Sequence, residues 1–271
     1  MSGGSSRPIV LVGAGKMGGA MLAGWGRKAL DAPVIVIDPA PSDEVRDIAD
    51  RMGATLATEA PADTKAGVLI VAVKPQMMDD VLPPLTGLRD EETTVVSVAA
   101  GITIGRLEAA LGPGPVVRTI PNTPSQIGRG VTVAVANPAV DAEGRAAATD
   151  LLGAIGMVEW VEDEALIDAA TAVSGSGPAY VFHMVECLAQ AGLQAGLPED
   201  LAMRIARGTV TGAGALLDDS PADAATLRQN VTSPGGTTAA ALDVLMGDQA
   251  MQSLFVKAVA AAAKRARELG S

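Results

Sequence analysis

Residues 9–18 read Ile9-Val-Leu-Val-Gly13-Ala-Gly15-Lys16-Met17-Gly18: four branched aliphatic residues, a glycine turn, and the opening of a helical pattern. The aliphatic run is a buried strand, and the GxGxxG spacing gives each glycine a task. Gly13 permits a tight turn, Gly15 lets a ligand approach the backbone, and Gly18 lets the helix pack closely on the strand. A bare GxGxxG is weak evidence. Here it joins the first strand to the first helix, and Asp38 ends the next strand about 20 residues on, as a dinucleotide-binding unit requires. A carboxylate at that place accepts hydrogen bonds from the adenosine ribose hydroxyls and repels a 2′-phosphate, so NADH is expected to fit better than NADPH. No arginine lies between Asp38 and Arg46 to reverse that preference.

Around this unit, β-branched runs alternate with helical patterns. Strands are expected at 9–12, 34–37, 68–73, 94–98, 116–119, 131–136 and 157–161, with helices at 17–29 and 42–52. Beyond Glu162 the Val-Ile pattern ends, and the chain becomes rich in Ala, Leu, Met and Gly, with breaks at 175–178, 197–198, 220–221 and 233–236. Those breaks leave four or five helices. The expected architecture is α/β: a Rossmann-like, doubly wound parallel sheet over 1–161, then an all-helical domain over 162–271.

In open parallel sheets ligands lie beyond the carboxyl ends of the strands. Ala72-Val73-Lys74-Pro75 closes the third expected strand and Ala99-Ala100-Gly101 follows the fourth, so both turns are expected to line the nicotinamide half of a cofactor held by Gly13, Gly15, Lys16, Met17 and Gly18. Lys74 either contacts a ribose or the substrate, or is a solvated loop lysine. Asn122 follows the fifth strand between Pro121 and Pro124, in a loop stiffened by two prolines, and is placed with the same cofactor group.

With 271 residues the chain can bury two cores. A net charge of −11 argues against nucleic acid or an anionic membrane surface as partner, and 2% aromatic content argues against stacking of bases or sugars. Cys187 is the single cysteine, so neither an intrachain disulfide nor a Cys-rich zinc site forms, and it reads as a small core residue. His183, the single histidine, excludes His-pair metal chemistry and reads as a packing or surface residue or as one facing a site; no metal is expected. Residues 1–8 lack the pattern of a leader and no run approaches membrane-spanning length, so a cytoplasmic setting is expected.

Two further stretches carry information. Residues 232–242, TSPGGTTAAAL, read as a loop feeding an Ala-rich helix, in which Gly235 and Gly236 open the backbone and Thr237 or Thr238 caps the helix. Unpaired N–H groups at such a start hold a small carboxylate or phosphate, although an ordinary turn has the same composition. Residues 173–180, VSGSGPAY, set Ser174, Ser176, two glycines and a proline in helical surroundings. The helix must break or kink there, either exposing donors to a substrate or permitting a tight helix crossing.

Taken together, GAGKMG, AVKP, SGSGPAY and VTSPGGTT, in this order and over nearly the whole chain, resemble pyrroline-5-carboxylate reductase. The resemblance implies NAD(P)H-dependent reduction of a cyclic imine carboxylate to L-proline, the last step of proline synthesis. It also implies that the helical domain forms an intertwined dimer, and that dimers assemble further, often to decamers. Ser176, Ser233, Gly235, Gly236, Thr237 and Thr238 are then the substrate-binding residues. Thr238 is the catalytic residue, its hydroxyl orienting the ring nitrogen instead of supplying the whole proton.

The β-hydroxyacid dehydrogenases join similar domains but use a lysine on a second-domain helix, and no lysine occurs between Lys74 and Lys257. A reductase of the six-membered homologue would differ in pocket size alone. A nicotinamide-binding sensor would have no use for a carboxylate-shaped second pocket. Independently, apolar helices of this composition tend to pair, and at least a dimer through residues 164–270 is expected.

Overall fold

The aliphatic runs form strands β1 (Ile9–Val12), β2 (Val34–Ile37), β3 (Thr55–Ala57), β4 (Val68–Val71), β5 (Thr94–Ser97), β6 (Val116–Ile120), β7 (Gly130–Ala136) and β8 (Gly156–Trp160) in a computed structural model that describes residues 7–248 and 250–270. Residues 1–6, and with them most of the reading of the chain start, lie outside the described residues. The strands make one sheet in the order β3-β2-β1-β4-β5-β6-β7-β8. Alternation along β1, β2 and β4 to β7 feeds two cores, as a sheet covered on both faces requires. Leu11, Val36, Ile70, Val96 and Val117 face α1 (Lys16–Lys28), α2 (Asp43–Met52) and, further along the chain, α5 (Ala142–Gly153), through Met21, Leu22, Ile48 and Leu152. Val10, Val12, Leu69, Val71 and Val95 face the other way, toward α3 (Met78–Val81) and α4 (Ile104–Leu111), through Met78 and Leu107.

Two expectations need correction. β3 was not expected, because Thr55-Leu-Ala57 offers a single branched aliphatic side chain; it exists as a short edge strand paired with β2. Nor is the sheet wholly parallel, since β7 runs antiparallel to β6. The connection between them is a 3₁₀ turn over Thr123–Ile127, too short for the helical crossover that a parallel return needs.

Ser176–Ala261 forms one compact unit, and the described residues up to Gly175 form the other together with those from Ala262 onward. The division falls later than the end of the strand pattern at Val161, because α6 (Leu166–Ala170) and the π-helical turn that continues it, Thr171–Gly175, belong with the sheet. Ile167 is buried in the sheet's second core. The other unit holds α7 (Gly177–Gln194), α8 (Glu199–Asp219), α9 (Ala224–Asn230), α10 (Thr237–Leu245) and the greater part of α11 (Met251–Gly270). Ala189, Ala202 and Ala206 are buried there, whereas Phe182, Val244, Leu254 and Val256 are more than 60% exposed. Cys187 is exposed on α7, not in a core as the composition suggested, because α7 carries more apolar surface than this unit covers. His183 is exposed and pairs through Nδ1 with Glu186 at 2.9 Å. Among the described residues no helix is long and apolar enough to cross a membrane.

Candidate active site

Strand order reverses between β1 and β4, so the crevice at their carboxyl ends is the topological switch point. Both fingerprint turns meet there. Ala72 N donates to Val12 O at 2.8 Å, and Gly13 N donates to Ile37 O at 2.8 Å, which fixes the ends of β1, β2 and β4 to one another. Gly13 has φ +87°, and a Cβ on it would lie 2.8 Å from Val73 Cγ1 and 3.0 Å from Ala72 O. Gly18 is more constrained still, since a Cβ there would lie 2.0 Å from Gly13 O. Gly15 differs: nothing lies within 4 Å of where its Cβ would be. The close approach of the Ala72–Val73 turn requires the first glycine and helix packing the third, and the second borders open space at the start of α1. A dinucleotide pyrophosphate fits that cradle.

Asp38 is tied into the same turn. Its Oδ2 accepts from Ala14 N at 2.7 Å and its Oδ1 from Ala40 N at 2.9 Å, leaving further lone pairs for ribose hydroxyls. A cavity of about 670 Å³ extends from Gly13 and Gly15 past Asp38 and Lys74 to an apolar slot made by Pro39, Ala60, Met77, Val81 and Leu85. Its lining includes Ala72, Val73 and the carboxylates of Glu59 and Asp80. On the other side of the turn, Gly15, Lys16, Asp38, Ser42 and Gln126 border a second cavity of about 480 Å³. Glu59 and its neighbours in the slot were missed in the sequence, because the loop that carries them follows the unexpected strand β3.

Other expected residues are placed differently. Met17 packs against the core, and Pro75 starts a 3₁₀ turn at the exposed Lys74. Ala99, Ala100 and Gly101 follow β5 but line neither cavity, and a Cβ on Gly101 would lie 3.0 Å from Leu269 O. Asn122 is buried, with both ends of its amide held by the protein: Oδ1 accepts from Val131 N at 2.9 Å and Nδ2 donates to Ser174 O at 3.0 Å.

Within the helical unit, residues 233–236 turn through Gly235 at φ +68°, closed by Gly236 N donating to Ser233 O at 3.0 Å. The cap of α10 is Gly236, with no side-chain hydrogen bond, so the expectation of a threonine cap is corrected. Thr237 and Thr238 lie inside the first turn instead, because the extended backbone that a cap requires falls on Gly236. Among the described residues, the glycine cap thus offers no side-chain acceptor to the first N–H groups of α10. Ser176 precedes α7 without capping it by side chain, directly after the π turn.

The switch-point crevice and its glycine cradle define the class: a dinucleotide-binding oxidoreductase whose sheet domain is followed by a helical unit. Comparison with known proteins agrees. The family description "Pyrroline-5-carboxylate reductase dimerisation" matches residues 164–269, and "NADP oxidoreductase coenzyme F420-dependent" matches residues 8–101. Pyrroline-5-carboxylate reductase of Pseudomonas aeruginosa is 38% identical over 267 residues, covering 98% of this chain and 97% of its own. The structure of a pyrroline-5-carboxylate reductase from Coxiella burnetii superposes with a TM-score of 0.90 at 33% identity, covering 99% of this chain and 100% of that one. That of Plasmodium falciparum pyrroline carboxylate reductase with NADP bound does so at 0.79 and 26% identity, with coverage of 99% and 100%. The chain belongs to the pyrroline-5-carboxylate reductase family.

Proposed function

We propose that this chain reduces 1-pyrroline-5-carboxylate to L-proline with NADH, closing a proline-synthesis sequence. Family membership carries this reading, and the glycine loop before α10 supports it because the substrate is a small ring bearing one carboxylate. When bound, the reduced nicotinamide supplies a hydride to the C=N carbon. The protein's own contribution is orientation. The turn through Ser233, Gly235 and Gly236 and the N–H groups of Thr237 and Thr238 hold the carboxylate. The half-buried Thr238 hydroxyl, which makes no hydrogen bond among the described residues, orients the ring nitrogen, and Ser176 contributes a second hydroxyl. The imine is reduced as its protonated form, so positioning replaces a strong acid.

Preference for NADH rests on Asp38, and Glu59 and Asp80, which line the same cavity, add to its negative charge. The Plasmodium relative was solved with NADP bound, so the NADH reading rests on this chain's carboxylates alone. Self-association is the expected state, supported by the dimerisation match and by the exposed apolar side chains of Phe182, Val244, Leu254 and Val256. Light scattering at micromolar concentration should give at least a dimer, and a monomer would remove that part. The reaction is tested by following oxidation of NADH and NADPH on addition of pyrroline-5-carboxylate, beside the six-membered analogue. Rapid turnover of the five-membered ring is expected; tight cofactor binding with no turnover of either imine would mark a sensor.

A further inference from the structure

Asn122 has two unambiguous partners. The Val131 N–H can only donate and the Ser174 carbonyl can only accept, so the amide orientation follows from chemistry: Oδ1 faces Val131 at 2.9 Å and Nδ2 faces Ser174 at 3.0 Å. The side chain thereby ties the rigid loop after β6 and the first residues of β7 to the π turn Thr171–Gly175. A π turn breaks the regular ladder of helical hydrogen bonds and leaves carbonyls that need other partners. Within the turn, the Thr171 and Ser174 hydroxyls donate back to Ile167 O and Ala170 O, so they do not anchor it to the sheet. The segment before it is anchored separately. Arg118, buried in β6, pairs with Glu164 at 2.8 Å and Asp168 at 3.6 Å, and Glu164 Oε1 also accepts from Ile104 N at 2.9 Å. The ion pairs thus hold the start of the segment, and the Asn122 amide holds its end, one residue before Gly175 and two before Ser176.

We infer that Asn122 is a positioning residue for the imine substrate: its Nδ2–H fixes the Ser174 carbonyl and so the exit of the π turn toward Ser176, while the cofactor does not depend on it. This rests on the imine-reductase reading, in which Ser176 binds substrate. Asn122→Asp keeps the acceptor for Val131 and replaces the donor with an oxygen facing the Ser174 carbonyl. Asn137 supplies a control near the opposite end of β6: its amide accepts from Val116 N at 3.1 Å and donates to Gly114 O at 2.8 Å, and it also donates to Glu108 Oε1 at 2.7 Å, so the aspartate there strains the fold and not the π turn.

The experiment compares the wild type, Asn122→Asp and Asn137→Asp by NADH affinity, Tm, and kcat and KM for pyrroline-5-carboxylate. Asn122→Asp is expected to lose about ten- to a hundredfold in kcat/KM for the imine with NADH affinity within about twofold of wild type. Asn137→Asp is expected to lower Tm and keep kcat/KM within about twofold. If Asn122→Asp does not fold, Asn122→Ser, which opposes no charge to the carbonyl, takes the same readouts. An active wild type with kcat/KM unmoved in the Asn122 variants, or a loss confined to NADH affinity, overturns the inference alone. A wild type that binds NADH and does not reduce the imine overturns both the inference and the reading beneath it.

Discussion

Asp38 accepts the Ala14 N–H at 2.7 Å, so the carboxylate expected to meet the cofactor ribose also holds the glycine turn in place. One side chain links the end of β2 to the cradle. Asn at this position can accept at one oxygen and must turn its NH₂ toward the other backbone N–H. Asp38→Asn should therefore raise the KM for NADH at least about tenfold, the scale of one lost charge-assisted hydrogen bond. It should also narrow the gap between NADH and NADPH. Steady-state kinetics with both cofactors checks this; a variant that keeps a full NADH preference would detach Asp38 from selectivity.

The glycines of the fingerprint should separate by what each mutation damages. Gly18→Ala places a Cβ 2.0 Å from Gly13 O, a clash with backbone that α1 can relieve only by moving. A loss of about 1–3 kcal/mol in urea unfolding is expected. Gly15→Ala meets nothing within 4 Å, so Tm should hold while NADH affinity, read by fluorescence titration, falls. Equal stability losses in the two variants would contradict the assignment of Gly15 to the ligand.

That contrast marks what the sequence could tell. The strand–turn–helix unit was legible because local spacing determines it: Ile9 to Gly18, then Asp38 at the end of the next strand. β3 was not, because a three-residue edge strand is held by pairing with β2 and not by its own side chains. The antiparallel return of β7 was implicit in the short gap between residues 120 and 130 but hidden by its aliphatic content, which suits either direction. Asn122 was noticed for its rigid loop, yet its partner Ser174 lies 52 residues away, a relationship that no local pattern encodes. The cap of α10 went to Gly236 instead of a threonine because backbone shape, and not the available hydroxyl, decides where a helix begins.

Because Thr238 does not cap α10, its removal should not cost the stability of a lost cap. Thr238→Ala is expected to lower kcat with Tm nearly unchanged, and Thr238→Ser to keep much of the activity. A drop in stability of about 1 kcal/mol with full turnover would return Thr238 to a structural role.

At the opposite end of the sheet, the Asp90 carboxyl lies below its ordinary range, first because Arg7 hydrogen-bonds it at 2.7 Å. A carboxyl depressed in the folded state contributes stability above its unfolded pKa of about 4, and that contribution disappears as pH falls through the folded value. Asp90→Asn should thus be less stable than wild type at neutral pH, and the difference should shrink toward zero under acid. Urea unfolding across that range checks it. Partial exposure keeps the effect small.

The central claim is tested most directly by quantifying L-proline formed from pyrroline-5-carboxylate against NADH consumed. The account predicts L-proline and oxidised cofactor in equal amounts, with NADH outperforming NADPH. Cofactor binding without proline formation, or a clear preference for NADPH, would contradict it.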